Sequence, residues 1–272
     1  MKVIFMGTPD FSTGVLESII EAGHEVTAVV TQPDKPKGRG HEMQFTPVKE
    51  VALKYNLPVL QPKKIRDPEV VAQLEEIPAD ICVVVAFGQI IPKSILKMKK
   101  YGCINVHASL LPAYRGAAPI QWAVVDGLKE TGVTIMQMDE GLDTGDMLVE
   151  RRVKIDFCET SGELYDRLSF VGAEVLEKTL IKLENGTLER TPQNDDESTY
   201  APLLSKEISN INWNDTALSV YNKIRGLNPW PVAITYIDGV KYKIFESEYV
   251  ENVKGNPGEI VENKKQLIVA CG

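Results

Sequence analysis

Histidine is scarce in this chain, with three in 272 residues, at His24, His41 and His107. No two of them are close and no HExxH motif occurs, so a histidine-built zinc centre is not indicated. Cysteine is almost as thin. Cys82, Cys103, Cys158 and Cys271 are scattered without a CxxC pair, which argues against both a zinc ribbon and a disulfide framework. Three of the four sit in apolar runs, where Cys is a packing residue. No apolar run reaches the ~20 residues that a spanning helix needs. The opening Met1-Lys2-Val3-Ile4-Phe5 reads as a strand rather than a signal peptide, because a turn follows at once. A soluble protein of the reducing cytoplasm, with no membrane partner, is expected.

An excess of positive charge is also missing. The net charge is −8, which argues against strong nonspecific nucleic-acid binding but leaves room for an RNA gripped at a few local sites. The excess lies before the last segment, since residues 205–272 carry eight Lys/Arg and eight Asp/Glu. The first strand–turn–helix lacks the glycines of a dinucleotide fingerprint. Gly7, Pro9 and Ser12 stand at the three GxGxxG positions, and Pro9 has no N–H to offer a pyrophosphate.

What is present is an alternation of strands and helices over the first ~185 residues, the pattern of an α/β domain on a mainly parallel, Rossmann-like sheet. Residues 2–6, 26–31, 80–85, 102–107, 132–138 and 147–155 read as strands. The continuous apolar run Asp80–Val85 suits a central strand covered on both faces. Phe11–Ala22 reads as a helix with Phe11, Val15, Leu16 and Ile19 on one face, and Ser161–Leu183 as a long amphipathic helix. Residues 32–45 read as a loop, with two prolines, two glycines and no hydrophobic period.

Residues 185–204 are polar and aperiodic, like a linker. Short strands then surround the hairpin turn Asp238-Gly239, suggesting a small C-terminal β-barrel that stops before its sheet can close. The domains expected are 1–188, a linker 189–204, and an incomplete barrel 205–272. Trp122, Trp213 and Trp230 read as packing, with Pro229-Trp230-Pro231 anchoring the barrel.

One stretch carries chemistry. Asn105 and His107 lie two apart near the end of a strand, so they share a face. Ligands of open parallel sheets bind beyond the carboxyl ends of the strands, and His107 stands at such an end. The loop Met138–Asp146 follows another strand and supplies four acids and two glycines. Placed at the same sheet edge, one of its carboxylates would orient the imidazole and favour its charged form. An amide and an imidazolium aimed at one point suit an oxyanion formed in acyl transfer. A Ser or Cys nucleophile is not required when the substrate is itself an amine.

The segments MGTPDFS, TQPDKPKGRG, INVHASLLPAYRGAAPIQWA, TGVTIMQMDEGLDTGDM and NPWP together resemble the methionyl-tRNA formyltransferase family, within the wider folate-dependent formyltransferases. The resemblance implies a transferase that moves the formyl group of 10-formyltetrahydrofolate, without a metal, to the α-amine of methionine on initiator tRNA. It implies a catalytic trio of Asn105, His107 and Asp143. A folate site would fall on Ser109, Leu110, Leu111 and Pro112, with Phe87, Gly88, Gln89, Ile90, Asp139 and Leu142 around the pterin. Lys35, Lys37 and Arg39 would meet the tRNA. The protein would act as a monomer in the cytoplasm. The alternative within the same resemblance is a formyltransferase or hydrolase using the same folate donor on another substrate. Arg115 would meet a carboxylate, of ligand or of protein.

Overall fold

The computed structural model describes residues 1–37 and 42–272. Its centre is a seven-stranded sheet. In chain order the sheet strands are β1 (Lys2–Gly7), β2 (Glu25–Val30), β5 (Val59–Leu60), β6 (Ile81–Val85), β7 (Cys103–His107), β9 (Glu130–Gln137) and β10 (Met147–Lys154). The intervening elements are α1 (Phe11–Glu21), β3 (Lys35–Lys37), β4 (Glu42–Gln44), α2 (Pro47–Lys54), α3 (Pro68–Glu76), α4 (Lys93–Leu96), β8 (Arg115–Gly116) and α5 (Pro119–Val125). After the sheet come α6 (Ser161–Glu184), β11 (Tyr200–Ala201), α7 (Ala217–Gly226) and β12 to β15 (Ala233–Ile237, Val240–Ile244, Ile260–Glu262 and Ile268–Val269).

The order across the sheet is β10-β9-β7-β6-β1-β2-β5. β1, β2, β5, β6 and β7 pair in parallel. All five residues of β6 are buried, as a doubly covered strand requires. Each such Val or Ile contributes about 1.5–3 kcal/mol over an exposed one. One face packs Ile4, Met6, Cys82, Val84 and Cys103 against Leu74 of α3 and Ile95 and Leu96 of α4. On the other, Gly172 of α6 stands close enough to Val106, Val133 and Val15 that a Cβ would touch all three.

The first turn is built for packing. A Cβ on Gly7 would stand 2.8 Å from both Phe5 and Ser12, and the Ser12 hydroxyl donates to the Val85 carbonyl at 2.7 Å.

Two sequence expectations need correction. Residues 32–45 hold an antiparallel pair, β3 with β4, Lys35 opposite Gln44 and Pro36 opposite Met43. Lys35 and Pro36 of β3 and Met43 and Gln44 of β4 are all exposed, so neither face is buried among the described side chains and no period marks the strands. Next, β9 runs antiparallel to β7, with His107 opposite Thr134 and Ile104 opposite Gln137. Its carboxyl end is therefore not at the His107 edge. The C-terminal strands form two two-stranded sheets, β12 with β13 and β14 with β15, with no closed barrel among the described residues, in keeping with the incomplete barrel expected. Asp238 and Gly239 do make the expected turn, both with positive φ (50° and 79°).

The contacts divide the chain into two compact units. One comprises Met1–Arg115, Gly132–Arg152 and Asp166–Thr199; the other comprises Gly116–Thr131, Val153–Tyr165 and Tyr200–Gly272. The second unit gathers Ala118, Leu204, Val220, Ile224, Leu227 and Ala233, with Trp122 and Trp213 against them. Gly226 of α7 lets α5 approach, since a Cβ there would lie 2.6 Å from Val125. Trp230 is not a packing residue, being 52% exposed. The anchoring is done by its neighbours: the Asn228 carbonyl accepts from Ser161 and from the Gly162 N–H. No helix among the described residues is long and apolar enough to cross a membrane.

Candidate active site

β7 places Asn105 and His107 on the face already occupied by Cys103. That thiol is inert: its contact with Cys82 and its burial push it far above the ordinary thiol range, and Sγ points at the Ile95 carbonyl. No thiolate therefore stands beneath the amide and the imidazole. The Asn105 side chain is half-buried and makes no hydrogen bond among the described residues.

His107 is buried, and both ring nitrogens face protein groups. Nε2 lies 2.9 Å from the Tyr114 carbonyl. A carbonyl only accepts, so Nε2 carries the proton. Nδ1 lies 3.7 Å from Oδ2 of Asp143, whose side chain is 15% exposed. That distance is long for a hydrogen bond but close enough for the carboxylate to pair with the ring when the ring carries a proton at Nδ1. The Nε2–H is thus spent on Tyr114, and Nδ1, beside Asp143, is the nitrogen left for chemistry. Asn105 keeps its amide.

Asp143 reaches His107 although its loop leaves the wrong end of β9, because the loop folds back. The Asp139 carboxylate accepts from the Gly141 N–H at 3.0 Å and the Thr144 hydroxyl at 2.7 Å. The Gln137 N–H returns to the Asp146 carbonyl at 2.8 Å. Gly145 makes this return possible, since any Cβ there would overlap the Gln137 carbonyl. Asp143 itself sits at φ 54°.

Beyond the loop, the Gln193 side-chain N–H₂ donates to the carbonyls of Asp143 and Gly145 at 2.8 and 2.7 Å. Its oxygen accepts from Nε and Nη2 of Arg115 at 3.0 and 2.8 Å. The carboxylate that Arg115 meets is that of Asp195, at 2.7 Å.

The Ser109–Pro112 turn spends its polar groups on itself. The Ser109 hydroxyl donates to the Ala113 carbonyl, and the Thr134 hydroxyl bridges the Ser109 carbonyl and the Leu111 N–H. Ser109 and Leu111 are buried, while Leu110 and Pro112 are half-buried. Phe87 is a core side chain packed with Met6 and Ile91, not a wall of an open slot. Gly88 carries φ 81°, and Gln89 bonds the Ile65 N–H and the Pro62 carbonyl. Ile90 and Leu142 are 91% and 58% exposed, and Asp139 is exposed as well.

Lys35 is exposed in β3, Lys37 pairs with Glu42 in register, and Arg39 lies outside the described residues. No cluster of metal-ligating side chains occurs among the described residues. Tyr114, Thr134 and Gln137 lie inside the segments quoted above without an expected role, and Gln193 lies in the stretch that reads as linker.

Comparison with known proteins adds the following. The family described as formyl transferase matches residues 1–180, and the formyl transferase C-terminal domain matches residues 203–272. A protein of Lachnospira eligens named methionyl-tRNA formyltransferase is 53% identical, over 100% of this chain and 89% of its own length. One of Agathobacter rectalis with the same name is 57% identical, over 92% of this chain and 81% of its own. Among solved structures, an N-formyltransferase from Helicobacter canadensis, in complex with folinic acid and dTDP-3-aminofucose, superposes with a TM-score of 0.76 at 21% identity. It covers 100% of this chain and 96% of that one. HypX from Aquifex aeolicus in complex with tetrahydrofolic acid gives 0.69 at 20% identity, over 100% and 42%. At such identities the two structures share the fold alone.

Proposed function

This chain belongs to the formyl transferase family, and on that premise we propose that it transfers the formyl group of 10-formyltetrahydrofolate to the α-amine of methionyl initiator tRNA. The observation that carries the reading is the pairing of His107 with Asp143 at 3.7 Å on the strand face that also bears the amide of Asn105, unbonded among the described residues. The strong relatives bearing the methionyl-tRNA formyltransferase name support the choice of amine.

The neutral amine attacks the formyl carbon and the carbonyl oxygen gains negative charge. The Asn105 amide donates to that oxygen, a contribution of about 3–4 kcal/mol to the barrier. Nδ1 of His107, facing Asp143, takes up the amine proton. The carboxylate stabilises the imidazolium, and the proton passes on to the departing folate nitrogen through water. General acid–base help of this kind adds about 10²–10⁴ in rate.

The folate is flat and partly apolar, and Ile90 and Leu142 offer it hydrophobic surface, with Leu110 and Pro112 beside the strand tip. Lys35, Lys37 and Arg39 meet phosphates near the acceptor end of the tRNA. The enzyme acts as a monomer in the cytoplasm, where its tRNA substrate is.

The test is incubation with 10-formyltetrahydrofolate and methionine-charged initiator tRNA, followed by mass analysis of the aminoacyl group. A gain of one formyl group is expected. Formylation of an amino sugar nucleotide in its place, with no change in the tRNA, overturns the assignment of the amine.

A further inference from the structure

The stretch Thr191–Thr199 looks like a spacer in the sequence, yet it holds Asp143 directly and His107 through Tyr114. We propose that Gln193 is a positioning residue for formyl transfer. Oriented by Arg115, its amide clamps the Asp143 backbone and so holds the carboxylate against His107. The inference rests on the formyl-transfer reading given above.

Partner chemistry fixes how the Gln193 amide lies. A guanidinium only donates, so Oε1 faces Arg115, at 3.0 and 2.8 Å from its nitrogens. Backbone carbonyls only accept, so Nε2 faces those of Asp143 and Gly145, at 2.8 and 2.7 Å. Glutamine alone fits both sides at this length. Glutamate would set a carboxylate oxygen against two carbonyl oxygens, and leucine would leave all the donors and acceptors without this partner.

The position being clamped is an uncommon one. Asp143 has φ 54°, a region a non-glycine residue adopts a few per cent of the time. The loop's own bonds, from Asp139 and Gln137, hold its beginning and its return. Gln193 adds a hold at Asp143 itself. Arg115 is well suited to orient it, since its side chain is only 11% exposed and is further fixed by Asp195.

The same stretch secures the imidazole from the other side. The Thr199 hydroxyl accepts from the Tyr114 N–H at 2.8 Å, and the Thr199 carbonyl accepts from the Arg115 N–H at 2.9 Å. Tyr114, at φ 57°, supplies the carbonyl that receives Nε2–H of His107. At its start the stretch is tied down by reciprocal backbone bonds between Met147 and Thr191, at 2.8 and 2.9 Å. Acid and imidazole are therefore referenced to one strip of backbone.

The experiment is a double-mutant cycle of Gln193→Leu with Asp143→Asn, read as kcat and KM for formyl donor and charged tRNA, together with a crystal structure of Gln193→Leu. Misplacement of a reacting group by about 1 Å costs about 10²-fold. Gln193→Leu should therefore lower kcat by about 10–100-fold, with both KM values moving less than about threefold. In the Asp143→Asn background the same change should cost almost nothing, because a residue acting through Asp143 has nothing left to position. The crystal structure should show the Asp143 carboxylate displaced from Nδ1. Undiminished kcat, full additivity in the cycle, or an undisturbed carboxylate each overturns the proposal. If Gln193→Leu does not fold, Gln193→Glu, which keeps the size and the Arg115 contact, carries the same expectations. Absence of formyl transfer by the wild type would sink the functional reading, and the crystal structure would still decide whether Gln193 holds Asp143.

Discussion

At the scale of single residues, Asn105 and His107 are side by side but differently situated. Asn105 has its amide unspent among the described residues, whereas the Nε2–H of His107 is spent on the Tyr114 carbonyl and only Nδ1 remains, beside Asp143. The two should therefore fail differently. Asn105→Ala removes one oxyanion donor and should lower kcat by about 10²–10³ while leaving the thermal midpoint close to wild type, which steady-state kinetics beside a melting curve will check. The shared face of Asn105 and His107 was legible in the sequence because strand periodicity is strict. The ring's engagement was not, because the Tyr114 carbonyl that captures it is a backbone group seven residues away, and any residue type supplies one. Phe87, placed near the pterin by the resemblance alone, is a buried core side chain, and no local sequence pattern announces that burial.

At the scale of elements, α6 begins with a capping box. The Glu163 carboxylate accepts from the Thr160 N–H and hydroxyl, and the Thr160 hydroxyl oxygen accepts from the Glu163 N–H. The bonds to Thr160, backbone first, hold the Glu163 carboxyl below its ordinary value of 4.5. A depressed folded-state value means stability that is present above 4.5 and is lost as pH falls through the folded value. Glu163→Gln should accordingly cost about 0.3–1 kcal/mol at neutral pH and progressively less as the solution is acidified below that value. Urea midpoints of the two proteins at pH 7 and in acid will measure the convergence.

Elements with a buried face were legible: α1, β6 and β7 follow the apolar pattern closely. The β3–β4 pair was hidden because neither side is covered. The direction of β9 was hidden for another reason. A helix, α5, lies between β7 and β9 and imitates the crossover of a parallel unit. Yet α5 spends its apolar face on α7, and the chain comes back antiparallel.

At the scale of the whole molecule, net charge is −8 and residues 205–272 are balanced. Binding of a polyanion must then rest on a few cations. If Lys35, Lys37 and Arg39 are those contacts, each releases counterions worth a slope of about −0.7 to −0.9 in log affinity against log salt. The KM for charged tRNA should rise with salt with a slope of roughly 2–3, well below that of a basic nucleic-acid-binding domain. Kinetics across a salt series will give the number. The α/β character of the first unit was evident from element alternation. The way each unit recruits separate stretches of chain was not. Those stretches are chosen by tertiary contacts such as Gly226 against Val125, which leave no local signature.

The bond from Nε2 of His107 to the Tyr114 carbonyl has a directional consequence. With that nitrogen tethered, the imidazole is a port with a single door. In the transfer proposed above, whatever hydrogen ion enters through Nδ1 has to depart through Nδ1, so the incoming and outgoing proton share one lone pair in succession. Such a ring cannot pass charge from one edge to the other, and the order of events falls to whatever moves past the door.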